Sequence, residues 1–160
     1  MVQNARAAMD MVSGEIAAAG YSPSGPVSNP VVPVFNGILY DPSQLQIQAD
    51  LNGNQRTISS TEPNENPNEL VTYSYDSIKK RIVRKTNKSG VNQPFAENIQ
   101  TFGFDYLDAL GNSTTVTANI RQIRLTITAR TSKPDPQYTT NSGYRTFTLT
   151  SVVTPRNLTF

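Results

Sequence analysis

The chain has neither cysteine nor histidine among its 160 residues. Those two absences remove thiol nucleophiles, disulfides, thiolate and imidazole metal ligands and imidazole acid/base catalysis, and with them most familiar hydrolase machinery. Long apolar runs are missing too. No window approaches the ~18 apolar residues of a membrane-spanning helix, and no short apolar core of a signal peptide is present. Charge of one sign is also scarce: 14 Lys and Arg against 12 Asp and Glu leave a net charge of +2, too weak to name a partner. What remains fits one ordinary domain, because a chain of this length hides about 70% of the surface it exposes when unfolded. Eleven prolines and nine glycines point to many turns.

At the start of the chain Val2, Ala5, Met9, Val12, Ile16 and Ala19 recur at spacings of three, four, three, four and three, one narrow stripe of an α-helix. Arg6, Asp10 and Glu15 avoid it. Gly20 is able to take positive φ and Pro23 opposes continuation, so the helix should stop near Ala19. Its beginning is less defined: the stripe is running by Val2, and Asn4 is an N-cap only if the first stripe member is ignored. The expectation is the rear half of a longer helix, residues 1–20, behind an initiator Met. A helix this short is marginal alone, so the stripe must lie on something.

Residues 21–37 are broken by Pro23, Pro26, Pro30 and Pro33 and read as a surface loop. Residues 44–49 alternate apolar and polar, the mark of a half-buried strand. Val71, Tyr73 and Tyr75 do the same, Asp76 and Ser77 offer turn chemistry, and a basic strand over 79–86 would close a hairpin. Period-two patterns recur over 99–107, 121–131 and 144–153. No helical period separates the strands, so an antiparallel sheet is predicted and parallel βαβ units are not. The fold class is α+β: one N-terminal helix on a β-rich head, residues 21–160.

Several segments, in order, resemble minor pilins of the type IV pilus, specifically the PilW-like group, with type II secretion minor pseudopilins as neighbours. They are Ala5-Arg6 and Glu15-Ile16 running into Ala19-Gly20-Tyr21-Ser22-Pro23, then Ala49-Asp50-Leu51-Asn52-Gly53, Tyr73-Ser74-Tyr75-Asp76 and Phe102-Gly103-Phe104-Asp105-Tyr106, and finally Pro155-Arg156-Asn157-Leu158. The resemblance implies a non-enzymatic structural subunit with no small-molecule substrate. Its partners would be other minor pilins and the pilus fibre. A hydrophobic first half of the helix would anchor it in the inner membrane, facing the periplasm, before the head is displayed at the cell surface. A pilus-tip adhesive or DNA-binding head is the alternative from a different class.

Two further groups of residues invite a function. Asp50, Asn52 and Asn54, with Glu62 or Glu65, form an oxygen-rich loop of the kind calcium takes. A neutral amide at Asn54 lowers the ligand charge and Asn-Gly is a turn signal, so the plain turn is favoured and no cofactor is expected. Lys79, Lys80, Arg81, Arg84 and Lys85, with Lys88 beyond, suggest phosphate contacts. On a strand Lys79, Arg81 and Lys85 point opposite to Lys80 and Arg84. Charge on both sides reads instead as an exposed edge hairpin guarded against sheet-to-sheet pairing.

Overall fold

The computed structural model describes residues 1–24, 37–55, 68–86 and 91–158. The helix, α1, spans Val2–Ala18. Ala5, Met9, Val12, Ile16 and Ala19 are buried, Ala8 joins them, and Val2 at the opening turn is half-buried. Gly20 follows at φ +80° and donates its N–H to Gln48 O at 2.9 Å. The end of the chain finishes the job: Arg156 N–H reaches the Ala17 carbonyl, one of the orphan acceptors of the last turn, at 3.2 Å. At the other end Met1, not Asn4, occupies the N-cap position.

The strands are β1 (Ile38–Leu39), β2 (Gln44–Gln48), β3 (Leu70–Asp76), β4 (Arg81–Thr86), β5 (Gln93–Glu97), β6 (Ile99–Leu107), β7 (Gln122–Arg130) and β8 (Thr146–Val153). All pairings are antiparallel, and the strands form two sheets rather than the single one predicted: β1-β2-β3-β4-β5 and β6-β7-β8. The break falls at Asn98. Its φ of +59° turns the chain out of the first sheet in one residue, and asparagine tolerates that conformation better than most side chains. The corner is pinned on both sides, because Ile99 N–H donates to Lys80 O and Arg130 N–H to Asn98 O, each at 2.8 Å. Helix α1 bridges the two sheets, lying against β5 of the first and β7 and β8 of the second. Its seam shares one apolar core with Leu45, Ile47, Val71, Tyr73 and Ile82 below one half and Ile123, Leu125 and Ile127 below the other.

Two phenols, Tyr75 half-buried and Tyr106 buried, tie this arrangement together. Tyr75 Oη hydrogen-bonds the Gln100 carbonyl and lies 3.0 Å from that of Ile99, joining the first sheet to the second. Tyr106 on β6 places its hydroxyl 2.9 Å from Asp41 O and 3.1 Å from Gln44 O, and accepts the Asp41 N–H at 3.3 Å. Burial pushes the Tyr106 phenol up to about 12. In the unfolded chain it returns to about 10, so the unfolded state sheds this proton first. Stability should hold below about pH 10 and fall by about 2 kcal/mol as the pH climbs to about 12. Urea midpoints measured across that range should fall less steeply in Tyr106→Phe; an unchanged slope would refute the assignment.

Candidate functional site

Helix α1 and the sheet beneath it are the best-defined functional element, and one polar anchor sets the helix on the sheet. Glu15, beside the buried seam, reaches down to β3 and β4. Tyr73 Oη donates to Glu15 Oε2 at 2.5 Å, and Arg84 Nη2 meets Glu15 Oε1 at 2.6 Å and Asn68 Oδ1 at 2.9 Å. Tyr73 and Arg84 are cross-strand partners in the β3–β4 register, so both project from the same face toward the helix. Burial first, then the Glu15 carboxylate, pushes the Tyr73 phenol far above its ordinary value. Burial opposes charge on Arg84, but the hydrogen bond and attraction of Glu15 outweigh it and its pKa is raised. Glu15 escapes the sequence reading because it lies outside the apolar stripe. The usable signal is its position directly before Ile16, at the margin of the seam.

The basic run is dispersed. Lys79 and Lys80 lie in the turn, with Lys80 at φ +50°, and the strand begins only at Arg81. The strand is two residues shorter than the predicted 79–86, because lysine gives no turn signal. Arg81 pairs with Asp76 at 3.1 Å and Arg84 is committed to Glu15. Lys85 is exposed on the opposite side of the sheet from Arg84, and Lys88 lies outside the described residues. The hairpin is also not an edge: β4 lies between β3 and β5, and β5 forms the edge. That strand was missed because Pro94 interrupts its alternation, an interruption an edge tolerates.

In the loop after β2 the acidic oxygens face backbone N–H groups. Asp50 is buried and accepts from Gly53 N at 2.9 Å, Gln55 N at 3.0 Å and Ser22 Oγ at 3.3 Å. Glu69, also buried and unnoticed in the sequence, accepts from Leu51 N at 3.0 Å and Asn52 N at 2.9 Å. Asn52 Oδ1 accepts from Asn54 N at 3.0 Å. Donors converging on carboxylates brace a turn, whereas a cation needs those oxygens turned toward a common centre. Glu62 and Glu65 lie outside the described residues. Among the described residues no group of three or more acidic side chains is placed to hold a metal, and no helix is long and apolar enough to cross a membrane.

A helix that bridges two antiparallel sheets through one apolar seam is a pilin-like fold. The chain superposes on the type IV-like pilin TTHA1219 from Thermus thermophilus with a TM-score of 0.56 at 12% identity, over 98% of this chain and 96% of that one. No protein-family model and no curated protein matches the sequence.

Proposed function

We propose that this chain is a non-catalytic pilin subunit of the PilW-like minor type, joining sister pilins and helping to start a type IV pilus at or near its tip. The supporting observation is the two-sidedness of α1. One seam is spent on the chain's own core, while Asn4, Ala7, Met11 and Gly14, spaced three, four and three on the opposite side, are exposed. A helix serving only its own head would be expected to carry charged residues there. A face made of asparagine, alanine, glycine and one flexible methionine instead allows a neighbouring subunit to approach closely. Likeness to a type IV-like pilin over nearly the whole length of both chains supports the same reading. The proposal includes a hydrophobic continuation of α1 as the membrane anchor, periplasmic residence before assembly and display on the fibre afterwards.

Deleting the gene for the whole protein should abolish or sharply reduce piliation, and restoring it with Gly14→Arg should fail. That substitution points into open space, so the isolated domain should keep its circular dichroism and melt no lower than the parent. Normal piliation after deletion would dispose of the proposal. Loss of protein secretion with intact pili would instead assign the chain to a type II secretion pseudopilus. A DNA-binding head would show salt-sensitive binding that disappears on neutralising Lys79, Lys80 and Lys85.

A further inference from the structure

Between the front half of α1 and the edge strand β5 runs a groove of about 350 Å³, lined by Asn4, Ala7, Ala8, Met11, Phe95 and Ala96, with Glu97 at its rim. Ala8 and Ala96 are its buried members, and the more exposed Met11 and Phe95 add adaptable apolar surface beside them. Glu97, opposite Arg81 in the β4–β5 register, is exposed and enters no ion pair among the described residues. Elsewhere on the described surface two apolar side chains are almost wholly exposed, each at the tip of a turn: Ile78, 93% exposed between β3 and β4, and Leu110, 86% exposed between β6 and β7.

Charge chooses between them. Leu110 lies two residues from Asp108, so its approach would set a carboxylate against Glu97. Ile78 also lies two residues from a carboxylate, Asp76, but Arg81 pairs with that one at 3.1 Å, and Lys79 and Lys80 follow with no ion pair among the described residues. A turn position of this kind normally holds a polar residue, and a β-branched aliphatic left in water at the tip has no role in the chain's own core. We infer that the Ile78 tip of one copy seats in the α1–β5 groove of a second copy, with Lys79 and Lys80 drawn to Glu97. This rests on the reading of the chain as an assembling subunit and specifies one of its contacts. A single knob and groove is smaller than a stable dimer needs, so the contact is weak between isolated molecules and gains strength where other subunit contacts hold two copies side by side.

Because the chain has no native cysteine, Ile78→Cys and Ala7→Cys each introduce a lone thiol at an exposed position. The two variants, one bearing a size tag, are mixed and oxidised with copper phenanthroline. The mixed disulfide dimer should exceed either like pair roughly tenfold; Glu97→Lys in the groove partner should remove that excess, and Lys79→Glu with Lys80→Glu in the tip partner should restore it. Melting curves matching the parent confirm that each variant is folded. Bridges confined to like pairs, or a mixed yield indifferent to charge reversal, overturn the contact. If that happens while gene deletion still abolishes piliation, the subunit role stands and only this contact falls.

Discussion

Gly37→Ala should destabilise the domain by about 4 kcal/mol and lower its melting temperature by on the order of 10 °C, while Gly14→Ala should raise it by about 2 °C. Gly37 adopts φ +74°, and a Cβ built there falls 2.5 Å from Gly20 N and 2.8 Å from Gly20 Cα. Both obstacles are backbone, so no side-chain rotation relieves them. Nor can the backbone move cheaply. Gly20 N–H donates to Gln48 O, and Gln48 N–H donates to Gly37 O at 2.7 Å, so shifting either glycine strains the knot that joins the helix exit to β2. Leu158 closes over the same point, 2.9 Å from the added methyl. Gly14 is the opposite case. It lies in α1 with nothing within 4 Å of an added Cβ, so alanine removes backbone entropy from the unfolded chain and meets no obstacle. Thermal melts of the two variants should therefore move in opposite directions; movement in the same direction would contradict the packing described at the helix exit.

The contrast between those glycines shows where the sequence can be read and where it cannot. Gly20 was legible as a helix stop because its signal is local, a glycine after the last seam residue with proline beyond. Gly37 was not, since its requirement comes from Gly20 and Leu158, which only folding brings near. The strands behave alike. β3, β6, β7 and β8 alternate because one face of each lies against the core, only half-buried in β8, and that alternation is written in consecutive residues. The division into two sheets depends on pairing between distant segments, and its only local trace is Asn98, one residue in an otherwise continuous β pattern. The candidate site divides in the same way: the α1 seam is periodic and visible, whereas Glu15 and Arg84, 69 positions apart, carry no pattern that links them.

That hidden pair should nevertheless give a large response. With side-chain exposures of 16% for Arg84 and 23% for Glu15, the ion pair is mostly but not wholly withdrawn from water, so removing Glu15 should cost about 2–3 kcal/mol, below the 3–5 of a fully buried pair. Glu15→Ala leaves the Arg84 guanidinium without its carboxylate and Tyr73 Oη without its acceptor. Removing all three polar partners together, as Glu15→Leu, Arg84→Leu and Tyr73→Phe, leaves nothing unsatisfied and should restore stability to within about 1 kcal/mol of the parent. Urea unfolding of the single and triple variants measures the difference directly. Additive losses across the three would mean that each side chain contributes by packing alone. The distinction bears on assembly, because seam residues of similar size would let α1 roll on the sheets. Glu15 holds one rotation of the helix, and with it the orientation in which Asn4, Ala7, Met11 and Gly14 meet a neighbour. Glu15→Ala should therefore reduce piliation by more than a truncation of at least equal cost in the second sheet, Ile127→Ala.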